Sequence, residues 1–376
     1  MVAAVAPQDT AAKTLFVHLR GWKVPFVAWL ISRLIGCLGL VVWPNRQGEW
    51  FNTFGLTFMD GALYRMIVTT GFPNGELNGS SVVWPFFPLY PWTADLLTRL
   101  GAPVGPSLIL VSWIGAFVAL LGVWRLANIR FDESEARNAT WCLAVLPGAV
   151  GQVLSYSDSL FGAGLVWTLV LIDRVAVDPG PDPDHFDRRW LWAGLTAFVV
   201  VASRPNGILV LPVLLLAVWL VQRKLRNVIA VLVPSLVFFG GWLVYCRNKT
   251  GDALAFLTTK DLWLETTIFD FLARPMERPA IVFHMVVFVV VVLVAAPAVK
   301  KIPVWWLGII FVFIGPSLLL GVEGMARYVT ITVPLSILVA ITLTNWPTIC
   351  RRLFFVASAG SMLYLAVNVV RSTWVP

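Results

Sequence analysis

The chain has 376 residues, of which 59% are hydrophobic and 13% charged, and its mean hydropathy is +0.81. Apolar stretches of about twenty residues recur along it, and each can cross about 30 Å of hydrocarbon as a helix, so the composition predicts an all-α polytopic membrane protein. The continuous apolar runs exclude a barrel of alternating strands, and the net charge of +8, gathered at the ends of these runs, indicates membrane orientation and not nucleic-acid binding.

In chain order, the hydropathy pattern predicts about eleven membrane spans, or about ten, because several segments are short. They form a single domain over residues 1–376. The predicted spans are 24–43, 105–123, 138–153, 156–172, 190–202, 207–221, 228–246, 280–299, 304–320, 328–344 and 354–370.

The distribution of lysine and arginine predicts how the chain is oriented. Basic residues fall at every second boundary, beginning with Lys13, Arg20 and Lys23 ahead of the first span, which places the N-terminus in the cytoplasm. The compact chain, without a cleavable signal pattern, favours a bacterial plasma membrane. The segments predicted on the extracytoplasmic face are two long loops at 44–104 and 247–279 and short turns at 155–159, 203–207 and 321–327.

Asp60 is the strongest candidate for a catalytic residue. It stands in a short polar run just beyond the first span, where an enzyme that acts on lipid substrates needs a base at the bilayer surface. Tyr64 and Arg65 follow it and are predicted to support its loop and to contact substrate. The structural alternative is that Asp60 caps an interfacial helix, because Asp is a good N-cap residue.

Other unusual polar residues collect on the same predicted face. Arg204 and Arg327 are predicted to bind a donor phosphate, because the guanidinium fork matches phosphate oxygens. Asp158 and Asn206 are predicted to complete the substrate site. The structural alternatives are a helix start for Asp158, a freed carbonyl for Arg204 at its proline break, and a helix-end salt bridge for Arg327.

An aromatic and proline-rich block lies at residues 84–91. Its aromatic side chains are predicted to shape a groove for lipid, or else to form an aromatic belt at the level of the headgroups. These side chains are Trp84, Phe86, Phe87 and Tyr90.

The sequence offers no pattern of metal ligands. The three histidines, His18, His185 and His284, are far apart, and the four cysteines show no CxxC pairing. We therefore expect no metal and no other cofactor.

Four short blocks carry a resemblance to a known family. They are Asp-Gly-Ala-Leu-Tyr at 60–64, Phe-Phe-Pro-Leu-Tyr-Pro at 86–91, Tyr-Ser-Asp-Ser-Leu-Phe at 156–161 and Ser-Arg-Pro-Asn-Gly at 203–207. In this order they resemble the signatures of the PIG-V family, the GPI mannosyltransferase II type, within the GT-C superfamily of glycosyltransferases. Met59 stands where that family usually has Trp, and Asp158 stands where Glu is common.

The resemblance implies a GT-C-type enzyme with Asp60 as catalytic base. Such an enzyme moves a sugar, typically mannose, from a polyprenyl-phosphate donor to a lipid-linked or glycan acceptor on the extracytoplasmic face. The chemistry suits these residues, because the phosphate leaving group is already stabilised, and one base with one or two cations suffices. A single displacement at the anomeric carbon would invert its configuration.

A secondary transporter or lipid flippase is the main alternative, since it is also polytopic and carries intramembrane charges. A transporter needs a midplane site and often shows internal repeats, whereas the candidate residues here gather at one face. A third reading is a non-catalytic subunit of a membrane complex. The variant Asp60→Asn discriminates among them, because only the enzyme loses sugar transfer.

Overall fold

The computed structural model of the chain describes residues 21–42, 56–179, 186–259, 266–274 and 279–370. Within these ranges every regular element is a helix, so the all-α prediction is confirmed. Parts of both predicted outer loops, residues 44–55, 260–265 and 275–278, lie outside the described residues.

Within the described residues, nine helices precede the second long loop. They are α1 (Lys23–Val42), α2 (Asp60–Thr70), α3 (Leu89–Arg99), α4 (Val104–Arg130), α5 (Glu133–Val145), α6 (Asp158–Val177), α7 (Arg189–Ser203), α8 (Gly207–Gln222) and α9 (Leu225–Thr250). Short 3₁₀ turns lie at Gly79–Val83 and Pro147–Gln152.

The remaining described helices begin in the second long loop and run to the end of the described chain. They are α10 (Ala255–Thr258), α11 (Ile268–Ala273), α12 (Pro279–Ala295), α13 (Val304–Leu320), α14 (Met325–Ile331), α15 (Val333–Thr344) and α16 (Thr348–Val370). A 3₁₀ turn at Ala296–Lys301 extends α12.

Local sequence signals explain several helix ends. Asp132 and Glu135 form a capping box at the start of α5, in which Asp132 accepts a hydrogen bond of 2.8 Å from the backbone N–H of Glu135. At the end of α9, Gly251 adopts a φ of 80° and donates its N–H to the carbonyl of Arg247. Left-handed backbone suits glycine, so the helix ends there.

Helix length and hydropathy identify the membrane-spanning part. Within the described residues, five helices are long and apolar enough to cross a membrane, namely α4, α6, α9, α12 and α16, and α14 with α15 makes a sixth if that bent pair counts as one span. Three shorter apolar helices, α7, α8 and α13, accompany them. The predicted total of about eleven spans stays a prediction.

Two of the predicted spans are interrupted. The segment predicted at 138–153 is helical only to Val145, and the chain then enters a 3₁₀ turn that begins with Pro147. The segment predicted at 328–344 bends by 78° between α14 and α15, where Pro334 lies in the first turn of the second helix. Proline cannot donate to the preceding turn, so both breaks follow from the sequence.

The long helices pack around α4 and α6, which are the most buried spans. Two thirds of the apolar window of each is buried, 67%, against 17% for α9. Helix α7 packs between α6 and α9, α5 packs against α15, and α1 packs against α16. The exposed apolar faces of α9, α12 and α16 are those of helices that contact lipid.

A buried ion pair joins α4 and α6 near their C-terminal ends. The guanidinium of Arg130 donates from Nε and Nη2 to the two carboxylate oxygens of Asp173, each at 2.8 Å, and Trp305 Nε1 donates to Oδ1 at 3.2 Å. Asp173 lies about 22 Å along α6 from the first residue of that helix.

Candidate active site

Asp60 is the first residue of α2, but its side chain does not cap the helix. The N-cap residue is Met59, and no side-chain capping hydrogen bond is formed. Met59 has a φ of 53°, a left-handed value that non-glycine residues rarely adopt, and such strain concentrates at functional sites. The Asp60 carboxylate instead accepts a hydrogen bond of 3.1 Å from Arg327 Nη1.

Arg327 connects the two carboxylates of the site. It lies on α14, and besides Asp60 it binds Asp158, donating from Nε to Oδ2 at 2.9 Å and from Nη2 to Oδ1 at 3.3 Å. Its guanidinium carbon lies 4.6 Å from the ring centre of Tyr156. The charge is therefore held by two acids and one aromatic face.

Asp158 has a second cationic partner. Arg204 also forms an ion pair with Oδ1 of Asp158, and the Arg204 guanidinium carbon lies 5.8 Å from the ring centre of Tyr328. Arg204 follows the last residue of α7 with an extended backbone, φ −153° and ψ 147°, ahead of the proline that separates α7 from α8. The helix break thus presents the side chain to the cluster.

The four charged residues differ in their access to the surface. The Asp158 side chain is 0% exposed and that of Arg327 is 4% exposed, whereas those of Asp60 and Arg204 are each 14% exposed. We call these four residues the charge cluster. Burial, and then the neighbouring charge of Arg327, lower the pKa of Arg204 from its ordinary value.

Two glycines that the sequence reasoning did not select make room for the charge cluster. Gly148 and Gly151 belong to the 3₁₀ turn Pro147–Gln152, which packs against α14. A Cβ atom at Gly148 would overlap the backbone of α14, and one at Gly151 would overlap Asp158 Oδ2 and come within 3.4 Å of Arg327 Nε. The available signal was a proline and two glycines inside a predicted span.

Tyr64 supports the loop that carries Asp60. Its hydroxyl donates a hydrogen bond of 2.7 Å to Ser157 Oγ, which joins α2 to the turn before α6. Its ring packs edge-on against Tyr90 and Phe86. Burial raises the pKa of Tyr64 to about 12, so the phenol stays neutral and remains a donor.

The fold has counterparts among solved structures. ArnT from Cupriavidus metallidurans bound to undecaprenyl phosphate superposes with a TM-score of 0.56 at 15% identity, and the match covers 96% of this chain and 66% of that one. The chain therefore shares the fold of that protein. The archaeal oligosaccharyltransferase AglB from Archaeoglobus fulgidus, in complex with an inhibitory peptide and a dolichol-phosphate, gives a TM-score of 0.48 at 14% identity, covering 95% and 56% of the two chains.

The similarities cover only part of the related proteins and, for the family profile, only part of this chain. The chain spans between about half and two thirds of the length of the two solved structures. Residues 85–245 match the family profile described as dolichyl-phosphate-mannose-protein mannosyltransferase. A comparison with curated proteins gives no match. The matched region contains Asp158 and Arg204, while Asp60 and Arg327 lie on either side of it.

Asn206 and Arg65 are the remaining residues predicted to bind substrate. Asn206 is half-buried at the start of α8, and its carbonyl accepts the N–H of Leu209. Arg65 is exposed, one residue beyond Tyr64 on α2. The predicted roles of Asn206 and Arg65 in substrate binding stay predictions.

The aromatic block forms a core beneath the site. Trp84, Phe87 and Tyr90 are each 0% exposed, and Phe86 is half-buried. Trp84 lies 5.8 Å, centre to centre, from Trp242 of α9. These rings anchor the first long loop to α9, and their predicted contact with lipid stays a prediction.

The second long loop is hydrogen-bonded to the segment that leads to Arg327. Thr266 donates its backbone N–H to Glu323 Oε1 at 2.5 Å, and Val322 donates its N–H to the carbonyl of Thr266 at 3.0 Å. Glu323 is thus held by this loop two residues before α14 begins.

No three potential metal ligands come together in the part of the chain that the structure describes. His18 and His185 lie outside it, and His284 is buried in α12. Both carboxylates of the charge cluster are already bound to guanidinium groups. The expectation of no metal and no cofactor stays a prediction.

Proposed function

We propose that the chain is a polyprenyl-phosphate-dependent glycosyltransferase of the membrane. The charge cluster carries this proposal, because it combines one partly exposed carboxylate with one partly exposed guanidinium, Asp60 and Arg204, around a buried ion pair. A base and an anion-binding group side by side are what transfer from a phosphate-linked sugar requires. The GT-C fold shared with an undecaprenyl-phosphate-bound protein supports the same class of donor.

The reaction needs only a few groups from the protein. An acceptor hydroxyl oxygen attacks the anomeric carbon of the sugar, and Asp60 takes the hydroxyl proton. The bond from the anomeric carbon to the phosphate oxygen breaks, and its electron pair leaves with polyprenyl phosphate. Arg204 and Arg327 stabilise the charge that develops on the phosphate, and the configuration at the anomeric carbon inverts.

The resting charges of the cluster favour an incoming anion. Two carboxylates and two guanidinium groups balance one another, and Asp158 shares its single charge between Arg204 and Arg327. Arg204 shares the Asp158 carboxylate with Arg327 and is 14% exposed, so a second anion can reach it. The phosphate group of the donor would be this second anion.

Mannose is the sugar that we propose. The family profile over residues 85–245 carries a mannosyltransferase description, and the four blocks of the sequence resemble the PIG-V family. We further propose a lipid-linked or glycan acceptor and an active site on the extracytoplasmic face of a bacterial plasma membrane. The basic residues at alternate boundaries support that orientation.

Transfer of radiolabelled mannose from synthetic polyprenyl-phosphate mannose into membrane lipid or glycan tests the proposal. The wild-type protein should transfer label, and Asp60→Asn should lower the rate about 100-fold or more, because a positioned base contributes 10²- to 10⁴-fold. Asp95→Asn is the matched control, since Asp95 is also an outer-loop carboxylate but pairs with Arg99 on the exposed surface of α3.

The possible results separate the classes of function. Equal loss in both variants would point to a general defect of the outer loop and not to a base. Full activity in Asp60→Asn would move the base elsewhere, with Asp158 next. Absence of transfer by the wild type with this donor would contradict the mannosyl proposal, and lipid or solute transport would then be measured.

A further inference from the structure

Arg327 donates hydrogen bonds to both carboxylates of the charge cluster. Its Nη1 atom donates to Asp60, while its Nε and Nη2 atoms both donate to Asp158. The hydrogen bond of 3.1 Å from Nη1 holds Asp60 Oδ2 against Arg327, in the position where an acceptor hydroxyl would have to donate its proton. Asp60 Oδ2 is therefore available to an acceptor hydroxyl only when its hydrogen bond with Arg327 is broken.

The two contacts of Arg327 are unequal. Asp158 is bound through two nitrogen atoms in a fully buried position, whereas Asp60 is bound through one nitrogen at 3.1 Å and is partly exposed. A paired guanidinium fork is held more firmly than a single contact. The Asp60 contact is consequently the one that an incoming anion displaces.

The proposed donor supplies such an anion. Arg204 is more exposed than Arg327, so a phosphate group can contact it without moving the buried pair. Once bound there, the phosphate competes with Asp60 for the Nη1 atom of Arg327. Loss of that hydrogen bond frees Asp60 Oδ2 for the acceptor hydroxyl.

On the basis of the proposed function, we propose that Arg327 is a switch operated by the donor: it holds Asp60 by a hydrogen bond and releases it when the phosphate of the donor lipid binds. Arg327 acts here as a positioning residue for Asp60. The acceptor would then be activated only after the donor has bound, and the reactive base would not be exposed to water or to acceptor alone.

A double-mutant cycle on lipid-phosphate affinity tests the switch without relying on catalysis. Binding of polyprenyl phosphate to the full-length protein in nanodiscs is measured for wild type, Asp60→Asn, Arg327→Lys and the double variant, with polyprenol as the uncharged control. If Asp60 and phosphate compete for Arg327, Asp60→Asn should bind polyprenyl phosphate about tenfold more tightly than wild type. Lysine keeps the charge but cannot bridge Asp60 and Asp158, so most of that gain should vanish in the Arg327→Lys background.

Each outcome decides something. An equal gain in both backgrounds would show simple charge repulsion by Asp60 and would overturn the switch, as would no gain in either. Equal binding of polyprenol and polyprenyl phosphate to the wild type would also overturn it. Here coupling means that the effect of Asp60→Asn on polyprenyl-phosphate affinity depends on Arg327. Sugar transfer by the wild type without this coupling would refute only the switch. Coupling without sugar transfer would refute the proposed function and leave the competition between Asp60 and phosphate standing.

Initial-rate kinetics give a second reading. With the switch, a dead-end acceptor analogue should inhibit uncompetitively against the donor, because it binds only after donor. Competitive or noncompetitive patterns would show that the acceptor engages the empty site, and the proposed order would be wrong.

Discussion

Asp158 and Asp173 form a natural experiment on one helix. Both side chains are 0% exposed, both bind an arginine through two hydrogen bonds, and they lie near opposite ends of α6. Asp158 belongs to the charge cluster, whereas Asp173 binds Arg130 at the other end. Their Asn variants should therefore have similar effects on stability and different effects on catalysis.

The structure gives the expected size of the stability loss. Removing one partner of a buried ion pair costs about 3–5 kcal/mol, because the remaining charge stays buried without compensation. Asparagine keeps one acceptor oxygen, so we expect about 3 kcal/mol for each variant. Thermal unfolding in one detergent, with wild type as reference, measures both.

Catalysis should separate the two variants. In Asp158→Asn, Arg204 and Arg327 lose the carboxylate that holds both of them, and displacement of binding groups by about 1 Å lowers rates about 100-fold. Asp173→Asn should keep the rate per folded molecule close to that of wild type. The reasoning would be refuted if the folded Asp158→Asn protein transferred sugar normally, or if both variants lost activity in parallel with stability.

Three further predictions concern the surroundings of the site. Gly151→Ala should lower the free energy of unfolding by about 1–3 kcal/mol and reduce sugar transfer, because the added methyl group overlaps Asp158. Gly240→Ala is the control, since no atom lies within 4 Å of its added Cβ, and it should leave stability and transfer unchanged. Thermal unfolding and transfer rates measure both effects. Tyr64→Phe should lose about 1 kcal/mol with the hydrogen bond to Ser157. The pKa of Tyr64 is raised to about 12 in the folded protein, so the stability difference between wild type and Tyr64→Phe should be constant below about pH 10 and shrink as the pH rises towards 12. Unfolding temperatures of the two proteins across this pH range measure the difference, and a difference independent of pH would contradict the assignment. Transfer should persist in excess EDTA, and loss that is restored by a divalent metal would contradict the metal-free expectation.

Much of the fold could be predicted from the sequence, because the solvent of a membrane helix is uniform. Every lipid-facing backbone group must be bonded within its own helix, so a long apolar run specifies a helix without knowledge of its neighbours. This is why the predicted segment at 228–246 corresponds to α9 (Leu225–Thr250), and that at 304–320 to α13 (Val304–Leu320). Prolines and glycines inside an apolar run, as at 147–151, indicate where a helix is interrupted. Hydropathy averaged over a window does not detect these interruptions.

The candidate residues of the site were also visible, since charge is rare in such a chain. Asp60, Asp158, Arg204 and Arg327 stood out as polar residues at the predicted outer ends of apolar segments. Their chemistry and their common face follow from residue type and from the alternation of basic loops. The sequence alone could not choose between capping and catalysis for Asp60, because both use the same carboxylate at the same position.

Only the tertiary structure decided which charges meet. Asp60 and Arg327 are 267 residues apart in sequence, and their hydrogen bond depends on how α2 and α14 lie across the packed helices. Gly151 matters for a similar reason, since the space that a Cβ atom would occupy there is taken by the side chain of Asp158 from α6. Hydropathy assigns each helix to the membrane, but it is non-directional, so the pairing of side chains between helices is set by close packing and buried electrostatics.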